Sequence, residues 1–345
     1  MVNRIFSGPG ASCFVIAEAG VNHDGDLATA HRLVDVAKQV GADAVKFQTF
    51  AADRLVTRDA PKAAYQNAAG GAGESQWEML RRLELSEEAH QELAAHCRDV
   101  GICFLSTPFD EAAADLLDRI GVEAFKTPSG ELTNLPFLAH VARKGKPMIV
   151  STGMSSLGEV EDAVRAVTLA APVRLCLLHC VSAYPAPPAA ANLRALASLA
   201  ACFGVPTGYS DHTPGISVAI AAAALGARVI EKHLTLDRSL PGPDHQASLE
   251  PAAFAEMVSG IREAVDALGD GIKRPQAVEA DVKAVARKSL VTATAMRQGT
   301  VVAAGHLAIR RPGTGLPPAM LDWVVGRRLR ADLPAGHLIS WSDLD

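Results

Sequence analysis

The sequence has no basic excess. It holds 33 Lys and Arg against 38 Asp and Glu, a formal net charge of −5. Nothing here offsets the charge of a nucleic-acid backbone, so nucleic acid is not expected as a partner. There is no long apolar run either. The longest, 216–227, is interrupted by Ser217 and falls short of the about 20 residues a membrane-spanning helix needs. The opening MVNRIFSGPG lacks the apolar segment of a secretory leader, so a cytoplasmic location without membrane contact is expected. None of the six cysteines (Cys13, Cys97, Cys103, Cys176, Cys180, Cys202) forms a Cys-x-x-Cys pair. Most sit in apolar runs such as CFVIAEAG and ICFLSTPF, which suits small buried hydrophobes in a reducing compartment better than disulfides or a metal cluster. What remains is ample core material: 345 residues, 49 % of them hydrophobic, with a mean hydropathy of +0.14. That is too apolar for a disordered chain and is enough for one large domain plus a small one.

Short apolar runs alternate with stretches of helical spacing. Strands are expected at 13–19, 43–49, 102–107, 122–127, 147–152, 173–179, 205–210 and 228–234. Helices are expected at 27–40, 87–100, 110–120 and 159–170, and another after Pro251 with Phe254, Met257, Val258, Ile261 and Val265 on one face. Ser86, with Glu87 and Glu88 just inside, reads as a helix cap. Eight strands, each followed by a helix, predict an α/β fold of the (β/α)₈ barrel type over 1–270; a doubly wound open sheet is the rival architecture. The stretch 51–85 breaks the rhythm with no clear strand, an Ala/Gly-rich AAGGAGES and Tyr65-Gln66-Asn67. A polar linker is expected at 271–285, followed by a small β-rich domain at 286–345. Its runs SLVTATA, TVVAA, HLAI and HLISW are β-like, and MRQGTVVAAGHL (296–307) resembles LPAGHLISWSDL (333–344).

Polar residues gather at the ends of the expected strands, where a barrel enzyme builds its site. Glu18, then Asn22 and His23, end the first strand. Lys46 and Gln48 share one face of the second, because side chains alternate along a strand. Thr107 ends the third, Lys126 the fourth with Ser129 and Glu131 following, and Ser151 the fifth. His179 ends the sixth, followed by Ser182 and Tyr184; Ser210, Asp211 and His212 end the seventh; Glu231 and His233 share a face of the eighth. Lys46 and Lys126 near Ser129, Ser151 and Ser210 make a plausible cradle for a phosphate, although each lysine alone could simply reach solvent. His212 and His233, on adjacent strands, suit two imidazoles on one divalent ion with other positions open; ordinary polar histidines are the alternative. There is no HExxH and no close-spaced Cys/His group. Glu18, Glu131, Glu231 and Asp244 are the carboxylates available for proton transfer. Glu131 can also be read as an acid at a helix start, and Asp244, in Pro241-Gly242-Pro243-Asp244-His245, as a turn residue.

Assembled in order, these segments resemble the sialic acid synthase family (N-acetylneuraminate synthase and its legionaminate relatives). The matching stretches are IAEAGVNHDG (16–25), KFQTF (46–50), STPFD (106–110), KTPSGELTN (126–134), STGM (151–154), LHCVSAYPAP (178–187), GYSDHT (208–213), IEKHLTLDRSLPGPDHQASLEP (230–251), RKSL (287–290) and RRPGTG (310–315). The resemblance implies a barrel that condenses phosphoenolpyruvate with the open-chain aldehyde of an N-acyl hexosamine, releasing phosphate and a nine-carbon 2-keto-3-deoxy sugar acid. It implies that Lys46, Thr107, Lys126, Ser129, Ser151, Ser182 and Ser210 hold phosphoenolpyruvate, and that His212 and His233 bind Mn²⁺ (or Mg²⁺ or Co²⁺). Glu18, Gln48, Tyr184 and Asp244 would contact the sugar, and Glu131 would direct the water. The C-terminal part resembles the antifreeze-like (SAF) domain, which implies a homodimer in which Arg311 reaches the partner's sugar site. Ser182 stands where some relatives carry Asn. N-acetylmannosamine and 2,4-diacetamido-2,4,6-trideoxymannose both remain open as acceptors. Rival readings are another barrel activity, such as a metal-dependent aldolase or a shorter-sugar keto-acid synthase, and a non-catalytic protein whose C-terminal domain binds ice or a partner. The collected lysines, histidines and Glu131 argue against the last, since a binder has no need of them together.

Overall fold

The computed structural model describes residues 1–7, 12–63, 66 and 74–345. The chain divides into two compact units, Met1–Asp270 and Gly271–Asp345.

The first unit is built on eight parallel strands: β1 (Phe14–Gly20), β2 (Ala44–Thr49), β3 (Cys103–Pro108), β4 (Phe125–Thr127), β5 (Met148–Ser151), β6 (Leu175–Cys180), β7 (Thr207–Asp211) and β8 (Val229–His233). All eight lie where the apolar runs place them. Their hydrogen-bonded order is β3-β2-β1-β8-β7-β6-β5-β4, so the first strand pairs with the last. β4 has only three residues and makes no ladder with β3, but the two lie side by side and complete the ring. This is a TIM-type barrel, and the open doubly wound sheet is excluded.

Alternation along the strands sorts the side chains. Val15, Ala17, Val45, Phe47, Phe104, Phe125, Val150, Leu177 and Tyr209 face outward and pack under the helices in the main core. Phe14, Ile16, Ala44, Cys103, Leu105, Ala124, Ile149, Cys176, Leu178 and Val229 face the barrel axis, with Val2 and Ile5 of the short Val2–Phe6 turn plugging the N-terminal end. Gly208 is required by this crowding: a Cβ there would lie 2.5 Å from the Val229 carbonyl oxygen and 2.6 Å from Leu178.

The surrounding helices form where spacing and caps specify them. Leu27–Gln39 starts at Asp26, Glu87–Val100 at Ser86 and Glu111–Ile120 at Asp110. Leu157–Ala170 starts at a capping box of Ser156 and Glu159, two residues earlier than expected. Pro251–Leu268 buries Phe254, Met257, Val258 and Ile261. Within 51–85, the described residues form the helices Ala52–Leu55 and Gln76–Leu83 and no strand; Tyr65, Asn67 and most of the Ala/Gly run lie outside the described residues. Among the described residues no helix is long and apolar enough to cross a membrane.

In the second unit the stretch expected as linker contains the short helix Ala280–Ala286. The β-like runs form less sheet than expected. Only β9 (Ser289–Thr292) and β10 (Leu307–Arg310) make a ladder, which is antiparallel; the other runs contribute single bridges. The two similar segments meet at their first residues, where Met296 and Leu333 exchange backbone hydrogen bonds of 2.8 Å. Leu290, Met296, Val302, Leu316, Val324, Leu329, Leu333, Ile339 and Leu344 form a small separate core.

Candidate active site

The inward-facing series that fills the barrel with apolar side chains changes character at its C-terminal end. Two residues beyond Ile16 stands Glu18; beyond Ala44, Lys46; beyond Leu105, Thr107. Lys126 follows Ala124, Ser151 follows Ile149, Cys180 follows Leu178, and Glu231 follows Val229. All are buried and all line one cavity of about 440 Å³ at this end of the barrel. Gln48, Ser129, Ser182, Tyr184, Ser210, His212, His233 and Asp244 line it too. The structure therefore brings together every expected site residue of the barrel except Glu131, which is absent from the wall. Glu131 closes the turn Ser129–Glu131, and its Oε2 accepts a 2.7 Å hydrogen bond from Asn134 Nδ2.

Two lysines and two carboxylates share the floor. Lys46 Nζ lies 2.5 Å from Glu18 Oε2 and 3.9 Å from Glu231 Oε2, and donates to Thr107 Oγ1 at 2.7 Å. Lys126 Nζ lies 3.5 Å from Glu231 Oε1, which also accepts from Ser210 Oγ at 3.0 Å. Burial pushes the Glu18 carboxyl well above its usual range, with Lys46 only partly opposing it. Burial works against the charge of Glu231 as well, but there Lys126 and then Lys46 prevail and hold it low. Burial lowers Lys126 in turn. One carboxylate is thus firmly ionised while its neighbour is poised to take a proton.

On one side of the floor is a nest of small polar groups. Ser129 Oγ accepts from the Gly153 amide at 3.0 Å and lies 3.1 Å from Cys180 Sγ. A Cβ on Gly153 would come 2.4 Å from Ser182 Oγ and 2.8 Å from Ser129 Oγ, so only glycine leaves this corner open. Among the described residues the buried Ser151 Oγ has no hydrogen-bond partner. On the other side, Glu18 Oε1, Gln48 Nε2 and Asp244 Oδ2 converge on Gly20, at 3.2, 3.5 and 3.6 Å from where its Cβ would be. Burial raises Asp244 to about 6. The Tyr184 ring stands 4.2 Å from that of His212 and 5.9 Å from that of His233, and the two imidazoles are 5.7 Å apart. Leu55, Val56, Met79, Leu80, Leu83 and Phe109 supply an apolar wall.

The residue pattern of the NeuB family matches residues 33–273, and that of the SAF domain matches 287–345. The chain belongs to the NeuB family. N,N'-diacetyllegionaminic acid synthase of Legionella pneumophila is 46 % identical over 342 residues, 98 % of this chain and 96 % of that protein. The Campylobacter jejuni protein of the same name is 45 % identical over 91 % of this chain and 94 % of its own. The crystal structure of an N-acetylneuraminic acid (sialic acid) synthetase from Leptospira borgpetersenii, in complex with citrate, superposes with a TM-score of 0.70 at 35 % identity, covering 79 % of this chain and 90 % of that one.

In this NeuB-family enzyme the histidine pair fits a metal ion. His212 Nδ1 lies 2.7 Å from the Val181 carbonyl oxygen, an arrangement that makes Nδ1 the donor and leaves the Nε2 lone pair free. Among the described residues the buried His233 Nδ1 has no hydrogen-bond partner, the Asp244 Oδ2 atom lying 3.8 Å away. Burial depresses both imidazoles, His233 the more strongly because His212 stands beside it, so both are neutral, as ligands must be. Among the described residues no third His, Cys, Asp or Glu completes a ligand set. An ion here would therefore draw its other ligands from water and substrate, the open arrangement of a Lewis-acid site.

Strand parity marks several residues that residue-type reasoning undervalued. Glu231 was one carboxylate among four, yet it is the one shared by both lysines. Cys180 fits the expectation of a buried small side chain, but its parity with Cys176 and Leu178 puts it on the cavity wall. His179 has the opposite parity and turns away, with Nε2 2.9 Å from the Ala191 carbonyl oxygen. Cys202 is exposed, unlike the other five cysteines. Asn22 and His23 lie off the wall: Asn22 bonds to Leu234 and Ser248, far along the chain, while His23 Nδ1 accepts from the Gly25 amide at 3.0 Å and its ring stands 6.1 Å from that of Phe47.

Proposed function

We propose that the cavity condenses phosphoenolpyruvate with the open-chain aldehyde of an N-acyl hexosamine and water, giving a nine-carbon 2-keto-3-deoxy sugar acid and inorganic phosphate. One observation carries the reading: two buried lysines and a corner of hydroxyls and one amide share a single cavity with two neutral imidazoles. The first set suits an enol phosphate and the second a cation that activates a carbonyl. The names of the chain's relatives, N,N'-diacetyllegionaminic acid synthase and N-acetylneuraminic acid synthetase, agree with it.

The roles follow the chemistry of each corner. Lys46, Lys126, Thr107, Ser129, Ser151, Ser182 and Ser210 hold phosphoenolpyruvate, its phosphate in the nest around Gly153 and its carboxylate toward the lysines. Glu18, Gln48, Tyr184 and Asp244 hold the sugar. A divalent cation on His212 and His233, Mn²⁺ in this proposal, would supply Lewis acidity to the aldehyde oxygen. C3 of the enol phosphate then bonds to the aldehyde carbon, and positive charge develops at C2. Water adds there; as the C2–O bond to phosphate breaks, one of its protons leaves with the phosphate and the other restores the Glu18 carboxyl, leaving the ketone. Glu18, whose carboxyl is raised, is placed to deliver a proton to the new hydroxyl. Glu231 is held too strongly ionised to be a good base, so its part is to neutralise the lysines; Glu131, which stands off the cavity wall beside Asn134, is given no part in the proton transfer. Holding two reactants in attack geometry contributes about 7–11 kcal/mol. A homodimer in which Arg311 of one SAF domain covers the partner's cavity would exclude bulk water.

The acceptor in this proposal is 2,4-diacetamido-2,4,6-trideoxymannose rather than N-acetylmannosamine. The wall of Leu55, Val56, Leu80 and Phe109 suits a methyl group and a second acetyl group better than hydroxyls, which these apolar side chains cannot hydrogen-bond. The test offers both sugars in competition with phosphoenolpyruvate and Mn²⁺ and identifies the product by mass. A diacetamido product with stoichiometric phosphate is expected. Preference for N-acetylmannosamine overturns the choice of sugar. Pyruvate supporting the reaction equally well overturns the reaction in favour of an aldolase.

A further inference from the structure

Asp244 reaches the cavity on a segment with little regular structure. Residues 234–249 leave β8 and return beside it through a bridge between Leu234 and Leu249, and the Leu249 amide donates to the His233 carbonyl at 2.9 Å. Between these ends the only regular element is the single turn His245–Ala247. A loop of this kind left to itself would spread the carboxylate over many positions.

Its support comes from one other loop, the residues after β1. Asn22 is wholly buried, and its Nδ2 donates to the Leu234 carbonyl and to Ser248 Oγ, both at 2.9 Å. Ser248 Oγ in turn donates to the backbone carbonyl of Asp244 at 2.6 Å. His245 is also wholly buried, with Nδ1 2.7 Å from Thr235 Oγ1 and Nε2 3.0 Å from Asp24 Oδ2. Asp24 holds that position from a left-handed backbone, φ 51°, which Asp tolerates better than most residues. Gly242 lies against both: a Cβ there would be 2.3 Å from Asp24 Oδ1 and 2.7 Å from the His245 ring. Two brackets therefore flank Asp244, one on its own carbonyl and one on the next residue. None of Asn22, Asp24, His245 and Ser248 lines the cavity.

We propose that Asn22 and His245 are positioning residues that clamp the 234–249 loop to the loop after β1 and so set the affinity for the acceptor sugar without touching it. The inference rests on the reading of Asp244 as an acceptor contact. The test uses the full chain with Mn²⁺ and compares Asn22→Ala, His245→Ala, His245→Gln and Ser248→Ala with Asp244→Ala, measuring KM for each substrate, kcat and thermal midpoint. Loss of a hydrogen bond that aims a charged group corresponds to about a tenfold effect or more. Asn22→Ala and His245→Ala should raise the acceptor KM by at least about that factor and keep the phosphoenolpyruvate KM within about twofold. His245→Gln, which can still reach Asp24 or Thr235, should recover part of the loss. Ser248→Ala removes a single hydroxyl and carries the same test should the larger variants not fold. If both KM values and kcat move together with the thermal midpoint, the loop contact is part of the fold alone and the proposal fails. It fails also if Asp244→Ala raises the acceptor KM and the bracket variants do not. An unchanged acceptor KM in Asp244→Ala brings down the reading of Asp244 itself, and the inference with it, while the condensation remains measurable.

Discussion

Phe14, Ile16 and Leu105 fill one end of the barrel, and Glu18 and Thr107, the next inward positions on two of the same strands, line the other. Backbone, register and burial are alike in the two halves. The N-terminal half excludes water and gains stability from every apolar side chain. The C-terminal half buries Glu18, Lys46, Lys126 and Glu231, and burial outweighs the opposite charges at Glu18 and Lys126, though not at Glu231. The cavity is thus a place where the fold gives up stability for a set of charges that cannot relax. That lack of relaxation makes them useful, because prearranged charges need no reorganisation when the reaction's own charge develops.

The sharpest way to break this comparison is to make the second half resemble the first. Replacing the pair Lys46→Met and Glu18→Leu should lower phosphate release by at least about 10³-fold, roughly 4 kcal/mol, yet leave the thermal midpoint unchanged or higher, because the double change strands no lone charge. A large fall in midpoint on calorimetry would show that the pair stabilises the barrel. The converse change is Leu105→Ala in the apolar half. It should cost about 2–5 kcal/mol of unfolding free energy, seen in denaturant titration, with kcat per folded molecule retained.

Acid probes the mouth of the barrel from a third side. Burial depresses His23 from 6.5 to about 4. A His lowered in the fold is neutral there while the unfolded chain takes up a proton, so this stability is whole above about pH 6.5 and drains as the pH falls toward about 4. The loss is about 3 kcal/mol at most. Unfolding measured across that window should show a slope that His23→Gln flattens; an identical slope in the variant removes His23 as its source. The smallest effect is expected at Arg311, in the SAF unit. Arg311→Ala should raise the acceptor KM about tenfold, about 1.4 kcal/mol, and leave the phosphoenolpyruvate KM alone; full sugar affinity in the variant would defeat the cross-subunit contact.

Much of this was open to a reading of residue types. Runs such as CFVIAEA and PMIVST specify strands because a buried parallel strand needs apolar, β-branched side chains on both faces, and Asp26, Ser86, Asp110 and Ser156 specify helix starts because the first amides of a helix need acceptors. The fates of His179 and Cys180 follow from counting parity along one strand. Glu131 and Glu231 do not separate this way. Both are acids near a strand end, and only coordinates show one beside Asn134 and the other between two lysines. The second unit was harder still, since two of its four β-like runs make only single bridges, which no periodicity announces.

By itself the order of amino acids determined eight strands, their facing and the kinds of group gathered at one end, because these depend on near neighbours in the chain. Ring closure, the sharing of Glu231 by Lys46 and Lys126, and the fastening of Asp244 through Asn22 and Ser248 were decided only in three dimensions. Each depends on partners far apart in the chain, up to more than two hundred residues for Asn22 and Ser248, and no local pattern carries the distance between them.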